Sequence, residues 1–308
     1  MERAAVAGRV LGALTALQAG AAPPRAVTAD PPRAGPGAVA PASAEVRLDS
    51  HGARLNGFLY LAGGAGPHPV VLLLHGFPGN ERNLDVAQVL RRAGNDVLYF
   101  DYRGSWGSAG TFTFAGGIDD VEAALRWVRD PAQVAQYHLD PTRIRIVGHS
   151  YGGWLALNAA AVDADVRCVA TLAAWNAGYA ASRFEDHPDE AAARLASYRS
   201  YVDGEGAPIH AEAEELMREL RSHAAAYDTA GLATALAGKR LLLIGASRDS
   251  PWSGYDQQER VARALRAAGG RTVRLMRFED DHSFNASRIA LSAALVEWLA
   301  RDCAAGGS

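Results

Sequence analysis

The sequence predicts an α/β fold, in which a mostly parallel central sheet carries helices on both faces and a helical cap is inserted late in the chain. Two observations lead to this prediction. Short apolar runs alternate with longer stretches of helical period, as crossover connections between parallel strands require. The run at 70–74 is apolar throughout, which is typical of a central strand buried on both faces.

The predicted elements follow these runs along the chain. Between 176 and 237 no convincing strand occurs, and a structureless loop of that length is unusual in a compact domain, so we expect helices there. The strands are expected at 53–60, 69–74, 97–100, 144–147, 166–172, 241–244 and 272–278. The helices outside the insertion are expected at 84–93, 119–128, 153–161, 256–268 and 290–300.

Composition excludes several classes of protein. The 308 residues are 49% hydrophobic and 21% charged, which is ordinary globular usage and fits neither a disordered chain nor a multispanning membrane protein. The 31 basic and 34 acidic residues give a net charge of -3, so no overall positive field exists to hold nucleic acid. We therefore expect no nucleic acid as a partner.

The first residues resemble a short secretory signal. Arg3 and Arg9 precede a mostly apolar stretch at 10–17, and small residues at 19–21 offer the pattern that a signal peptidase cleaves. The apolar stretch is too short to anchor the chain in a bilayer, so we expect a secreted or periplasmic protein without a membrane span. The alternative, which Glu2 favours, is a disordered extension on a cytoplasmic protein.

A segment rich in Pro, Ala and Gly follows and shows no apolar period, so it predicts a linker before the folded domain. The predicted organisation is a candidate signal peptide at 1–21, a linker at 22–43, one domain at 44–302 with a cap at about 176–237, and a tail at 303–308.

The two cysteines, Cys168 and Cys303, form at most one bridge and lack the spacing of a zinc site or a redox pair. Cys168 lies in the apolar run at 166–172, where a small buried thiol is the simpler interpretation. The sequence contains no HExxH pair, no P-loop and no GxGxxG that follows a strand, so neither a metal ion nor a cofactor is implied.

The strongest chemical signal is the pentapeptide at 148–152, Gly-His-Ser-Tyr-Gly. It follows the predicted strand at 144–147 and precedes a predicted helix, which is the context of a G-x-S-x-G nucleophile elbow. Small residues on either side of the serine allow a sharp turn that exposes its hydroxyl. Ser150 is therefore the candidate nucleophile, and the side chain of His149 is expected to face away from the substrate.

On these residues the chain resembles the α/β-hydrolase family over roughly 46–302. The resemblance implies an oxyanion hole made by two backbone amides. One belongs to the residue after the nucleophile, Tyr151. The other is expected from Phe77, in the His-Gly-Phe-Pro-Gly sequence at 75–79 that resembles the family's His-Gly motif.

The family order of serine, acid and histidine points to the remaining catalytic groups. Of the nine histidines only His282 lies beyond the plausible acids in the last third of the chain, so it is the candidate base. Asp249, just after the predicted strand at 241–244, is the candidate acid. Asp280 and Asp281 compete on paper, but residues adjacent to the base rarely point back at its ring.

Two further features bear on substrate. The sequence at 101–108 resembles members related to dienelactone hydrolases and prolyl oligopeptidases. Three tryptophans follow strands at the carboxyl edge of the sheet, where they line an acyl pocket or, alternatively, cover the sheet edge; they are Trp106, Trp175 and Trp252. An acidic run in the insertion would suit the ammonium group of a peptide substrate; it comprises Glu185, Asp186, Asp189 and Glu190.

The resemblance implies a serine hydrolase that cleaves a carboxylic ester through an acyl-enzyme, so the expected partner is a small-molecule ester or a short peptide. The alternative within the family is an exo-acting serine peptidase, of aminopeptidase or acyl-peptidase type. A non-catalytic binding protein on the same fold is a third reading, which the presence of every catalytic group in order disfavours.

Overall fold

An eight-stranded sheet forms the centre of the computed structural model, which describes residues 22–31, 35–36, 38–202 and 204–304. The strands in chain order are β1 (Ala42–Ser50), β2 (Ala53–Leu61), β3 (His68–Leu74), β4 (Asp96–Phe100), β5 (Leu139–His149), β6 (Cys168–Leu172), β7 (Arg240–Ala246) and β8 (Val273–Phe278). Their order across the sheet is β1-β2-β4-β3-β5-β6-β7-β8. Strand β2 runs antiparallel to both β1 and β4, and all the later pairs are parallel.

Helices cover both faces of this sheet. Those outside the insertion are α1 (Arg25–Thr28), α2 (Leu84–Arg92), α3 (Phe114–Arg129), α4 (Pro131–Tyr137), α5 (Tyr151–Val162), α10 (Tyr255–Ala267) and α11 (Arg288–Asp302). Alternate residues of β3 enter opposite cores, with Val70 and Leu72 on the face covered by α3, α5 and α10, and Val71 and Leu73 on the face covered by α2 and α11. The α/β fold that the sequence predicts is confirmed.

The strand β1 is a correction to the predicted linker. It begins at Ala42, inside the segment 22–43, and pairs along its whole length with β2. Val46, Leu48 and Ser50 are buried and alternate with exposed charged residues. This period of two is the pattern of a half-buried strand, and it is the signal that the sequence interpretation missed.

The segment between β6 and β7 is a helical insertion. It contains α6 (Ala177–Asp186), α7 (Pro188–Val202), α8 (Ala213–Ser222), a short 3₁₀ turn (Thr229–Leu232) and α9 (Ala233–Leu236). Glu219 of α8 accepts hydrogen bonds from the amides of Phe114 and Ala115, at 2.9 and 2.6 Å. A carboxylate is favourable at the first turn of α3, so this contact fastens the insertion to the sheet domain.

The two cysteines form a disulfide, so the interpretation of Cys168 as a free buried thiol is wrong. The bond joins the first residue of β6 to Cys303, directly after α11, with 6.0 Å between the Cα atoms. The sequence separation of 135 residues gave no indication of this distance.

The candidate signal peptide at 1–21 lies outside the described residues. Among the helices of the described part of the chain, none has both the length and the apolar character needed to cross a bilayer.

Candidate active site

Ser150 occupies a sharp turn between β5 and α5. Its backbone has φ 54° and ψ -118°, a conformation that is costly for a residue with a side chain. The flanking glycines leave the turn no room for side chains: a Cβ on Gly148 would lie 2.1 Å from the Gly152 carbonyl oxygen, and one on Gly152 would lie 2.2 Å from that of Leu74. The glycine spacing is therefore a steric requirement of this turn.

Backbone hydrogen bonds fix the turn against its neighbours. The Ser150 amide donates to the carbonyl of Leu172, at the end of β6, over 2.9 Å. The Ser150 carbonyl accepts from the amides of Gly153 and Trp175, both at 2.9 Å. These bonds support a strained serine at the carboxyl edge of the sheet.

His282 and Asp249 come from the loops after β8 and β7, and they meet beside this turn. The distance from His282 Nδ1 to Asp249 Oδ2 is 2.7 Å. The Asp249 side chain is only 4% exposed, against 38% for His282. Because an aspartate accepts from Nδ1–H, the other ring nitrogen of His282 is left as the acceptor that a general base needs.

The second oxygen of Asp249 is also engaged. It accepts from the Ser250 amide at 2.6 Å and from the Ser253 hydroxyl at 3.1 Å. These donors hold the carboxylate in one orientation toward His282. They could not be predicted from the sequence, because they depend on how the loop after β7 folds back on itself.

The two competing carboxylates shape the loop that carries His282. Asp280 accepts from the amides of Asp281 and Ala286, at 2.9 and 3.1 Å. Asp281 accepts from the Asn285 side chain at 2.9 Å and from the Ser283 amide at 3.1 Å. The hydrogen bond from the Asn285 side chain is the largest of the contacts that lower the pKa of Asp281.

His149 contacts the back of this loop. Its Nε2 lies 3.0 Å from the His282 carbonyl oxygen, and the two rings are 4.8 Å apart. Burial, together with the charge of a protonated His282, lowers the pKa of His149 to about 3. The ring is therefore neutral, Nε2–H donates to the His282 carbonyl, and the side chain faces away from the cavity.

Phe77 and Tyr151, whose amides the resemblance assigns to an oxyanion hole, line the same cavity as Ser150. Tyr151 is the first residue of α5, so its amide has no acceptor within the helix. Phe77 lies in the loop after β3. The carbonyl oxygen of the residue before it, Gly76, accepts a hydrogen bond from His75 Nδ1 at 2.7 Å. Burial lowers the pKa of His75 to about 4, which keeps this ring neutral.

Ser150, Asp249 and His282 border one cavity of about 190 Å³. Six aromatic residues form most of its remaining wall: Phe77, Phe114, Tyr151, Trp175, Tyr198 and Trp252. Arg194, Ser250 and Ser253 complete the lining, so the site is a small pocket that combines aromatic and polar groups. Within the described residues, no group of three or more His, Cys, Asp or Glu side chains is placed to hold a metal ion.

Trp175 and Trp252 line the cavity, but Trp106 does not. Trp106 Nε1 donates to the carbonyl of Pro78 at 2.7 Å, and the Arg82 guanidinium lies 4.5 Å from its ring. This tryptophan therefore supports the loop of Phe77 from outside the pocket.

The insertion places a cation at the pocket instead of the acidic run. Arg194, on α7, lines the cavity. Glu190 pairs with Arg183 at 2.6 Å, and the other three acids of the run, like Glu190 itself, are not part of the wall. Arginine is the commonest charged type in this chain, so no local pattern singled Arg194 out.

Comparison with known proteins identifies the class. A model described as the alpha/beta hydrolase family matches residues 71–295, so the class is that of a hydrolytic enzyme. The chain belongs to this family, as the nucleophile elbow indicated. Over 116 residues it is 33% identical to an uncharacterized 31.7 kDa protein of Escherichia coli, which covers 36% of this chain and 39% of that protein.

Solved structures share the fold. The chain is similar to an esterase of Pyrococcus furiosus, with a TM-score of 0.61 and 17% identity over 84% of this chain and 92% of that one. It is similar to an acylaminoacyl peptidase of Pyrococcus horikoshii, with a TM-score of 0.64 and 18% identity over 87% of this chain and 42% of that one. At these identities the likeness shows a common architecture only.

Proposed function

We propose that the protein is a serine hydrolase that cleaves small carboxylic esters through an acyl-enzyme. The observation that carries this proposal is the 2.7 Å hydrogen bond between His282 and Asp249, on the wall of the cavity that Ser150 also borders. A serine hydroxyl needs a base, and the base needs an acid that holds its tautomer.

In the first half of the proposed cycle, Nε2 of His282 accepts the proton of Ser150 as the serine oxygen attacks the ester carbonyl. The amides of Phe77 and Tyr151 bind the resulting oxyanion. The alcohol then leaves with the proton from His282, and the acyl group remains on Ser150. Each oxyanion donor is typically worth about 3 kcal/mol of transition-state stabilisation.

In the second half, His282 accepts a proton from water as the water oxygen attacks the acyl-enzyme. Collapse of this intermediate returns the proton to Ser150 and releases the carboxylic acid. Asp249 keeps its charge throughout and stabilises the imidazolium that forms in each half.

An exo-acting serine peptidase is the second candidate, because the same groups cleave amides and the Pyrococcus horikoshii peptidase shares the fold. An aminopeptidase would need an acid to hold a free ammonium. The acidic run of the insertion is not at the cavity, and Arg194 is. The charge of the wall therefore disfavours an aminopeptidase, and the test below separates an esterase from an acyl-peptidase.

The test compares a short-chain nitrophenyl ester with aminoacyl and N-acetylaminoacyl nitroanilides, using the full chain and Ser150→Ala as the control. We expect Ser150-dependent cleavage of the ester alone. Efficient cleavage of an anilide would replace the esterase by a peptidase, and activity that persists in Ser150→Ala would reject the nucleophile.

We also propose that the protein is exported. The Cys168–Cys303 disulfide supports this, because such bonds persist mainly in oxidising compartments. Expression in a secreting bacterial host should give a periplasmic protein whose mass lacks about the first 21 residues, as the predicted cleavage site requires. A full-length cytoplasmic product would contradict this.

A further inference from the structure

The charged groups that line the pocket differ in whether they have a partner of opposite charge. Asp249 and His282 hold each other, whereas Arg194 faces the cavity with no acidic partner. Among the described residues, no carboxylate oxygen lies within 4.0 Å of an Arg194 nitrogen. Within the described part of the chain, this positive charge on the pocket wall therefore has no carboxylate paired with it.

Other arginines of the insertion do pair with carboxylates. Arg183, on α6, forms two hydrogen bonds of 2.6 Å with Glu190. Arg199, on the same helix as Arg194, bonds to Glu214 on α8 at 2.9 Å. Both of these pairs lie outside the cavity wall, and of the three arginines only Arg194 lines the cavity.

Aromatic rings hold the Arg194 guanidinium in place. Its central carbon lies 5.0 Å from the centre of the Trp252 ring and 5.8 Å from that of Tyr198. A guanidinium that lies over aromatic rings is held in position, while its N–H donors, which point outward in its own plane, remain free for other partners. A planar carboxylate is the group that this fork of donors matches best.

We propose that Arg194 binds a carboxylate of the substrate, so that the enzyme selects esters bearing an anionic group a few carbon atoms from the bond that is cleaved. This inference rests on the proposed esterase function. Arg194, Ser150 and His282 border one cavity of about 190 Å³, so an anion held by Arg194 and an ester carbonyl at Ser150 must belong to a short molecule.

The carboxylate could belong to the acyl part or to the alcohol part of the ester, and two pairs of substrates separate these sources. Monoethyl glutarate is compared with ethyl hexanoate for an acyl-side anion. The 4-acetoxybenzoate ion is compared with 4-methylphenyl acetate for an alcohol-side anion. The quantity measured is kcat/KM for the charged ester divided by that for its neutral counterpart.

In the wild type this ratio should favour the charged ester of at least one pair. Arg194→Gln should lower that ratio about 10- to 100-fold, which is the usual worth of a hydrogen bond to a charged group. The rate on the neutral ester should stay within a few-fold of wild type. Arg194→Lys should retain part of the preference, because it keeps the charge and loses the planar fork.

Arg199→Gln is the matched control, since it removes an exposed arginine from the same helix and should leave every ratio unchanged. Equal losses on charged and neutral esters in Arg194→Gln would mean that the side chain only packs against the aromatic wall. An unchanged ratio would mean that it does not contact the substrate. Either result overturns the inference.

A binding measurement separates this inference from the esterase proposal. Ser150→Ala is titrated with glutarate by calorimetry, and the Ser150→Ala/Arg194→Gln double variant serves as its control. If no ester is cleaved but glutarate binds and Arg194→Gln abolishes that binding, the anion site is supported and only the esterase proposal is rejected. Absence of both ester cleavage and glutarate binding rejects both.

Discussion

The loops at the carboxyl ends of β5, β7 and β8 and the helical insertion border the same cavity, but they are held in different ways. Tight packing and buried hydrogen bonds restrict these loops to one conformation. The turn at Ser150 has no space for a Cβ on Gly148 or Gly152, and Asp249 is nearly inaccessible and accepts three hydrogen bonds.

Helix α7 of the insertion, which carries Arg194, is held largely at its surface, whereas α6 and α8 each bury an apolar face in the core. On α7, Arg199 pairs with Glu214 through side chains that are both about half exposed. Ala191 and Tyr198 are the buried residues among those described on this helix. Polar contacts also attach the insertion to the sheet domain: Glu219 accepts from two amides at the start of α3, and Asp228 pairs with Arg260 of α10.

This difference separates two tasks. A reaction that moves a proton between fixed groups requires geometry that does not vary, and the sheet edge supplies it. A wall residue outside the core can change with few consequences for folding, and α7 contributes the partly exposed Arg194 to that wall. Changes in the loops should therefore alter the rate on all substrates, and changes in the insertion should alter the choice among them.

The largest effect should come from Asp249→Asn. An amide at this position no longer holds His282 in the tautomer that accepts a proton, and a loss of about 10⁴ in kcat is expected. Steady-state kinetics on a nitrophenyl ester measures it. Glu279→Gln, in the loop after β8, is the matched control because Glu279 contacts Ser247 at the surface. Wild-type turnover in Asp249→Asn would refute the assignment of the acid.

The second effect concerns the frame that carries these loops. Replacing both Cys168 and Cys303 by alanine should lower the free energy of unfolding by about 2–5 kcal/mol, because the disulfide restricts a long loop of the unfolded chain. Because Cys168 lies at the amino end of β6, kcat should not change. Denaturant titration of the variant is compared with the wild type with and without reductant. Equal stability in all three would contradict the role of the bond.

A pH effect tests the support behind His282. The folded pKa of His149, about 3, lies below the ordinary value of 6.5, so below pH 6.5 the unfolded chain binds a proton that the folded chain does not. Stability should therefore fall as the pH falls from 6.5 toward 3. His149→Gln should show a shallower fall when unfolding is followed between pH 7 and pH 4.

Other buried groups also contribute to this pH profile, among them His75 and Asp96, and they are the same in both proteins compared. Burial lowers the pKa of His75 to about 4, which adds to the fall. Burial raises the pKa of Asp96 to about 6, which opposes it, since the folded protein then binds the proton more readily. Parallel profiles for wild type and His149→Gln would reject the neutral, buried His149.

A smaller effect should follow from Trp175→Ala at the pocket wall. Trp175 packs on Phe114 with 5.0 Å between ring centres, and its loss enlarges the cavity. Longer acyl chains should gain relative to short ones by about fourfold for each methylene newly accommodated. A series of nitrophenyl esters measures this, with Trp127→Ala outside the cavity as the control. An unchanged chain-length profile would remove Trp175 from the acyl site.

The smallest effect should come from the surface of the insertion. Arg199→Gln removes an exposed ion pair, and such pairs contribute at most about 1 kcal/mol to stability. Thermal unfolding and ester kinetics should both match the wild type. A loss of several kcal/mol would show that the insertion is held as firmly as the sheet edge.

The sequence predicted the parts of this protein that depend on local pattern. Apolar runs gave the later strands, and the glycine spacing around Ser150 gave the nucleophile turn, because sterics restrict both within a few residues. The sequence of β1 also shows a period of two, but the strand was overlooked because it adjoins the Pro/Ala-rich segment that predicts a linker. The catalytic assignments follow from motif and chain order, and the kinetic tests above decide them.

The features that were missed depend on contacts between distant residues. Arg194 borders the pocket because α7 folds over the sheet edge, and His149 supports His282 across 133 residues of chain. Cys168 and Cys303 meet only because β6 and α11 are adjacent in the fold. No spacing rule in a single sequence expresses any of these distances.

The position of the disulfide has a consequence for proteolysis. A protease that cuts at the exposed residues 204–206 leaves Ser150 on one fragment and Asp249 and His282 on the other. Cys168 and Cys303 also fall on different fragments, so the two pieces stay covalently joined until the bond is reduced. On a denaturing gel, a nicked molecule would run as one band without reductant and as two bands with it. Before reduction, the proposed catalytic groups would remain in one covalently linked molecule.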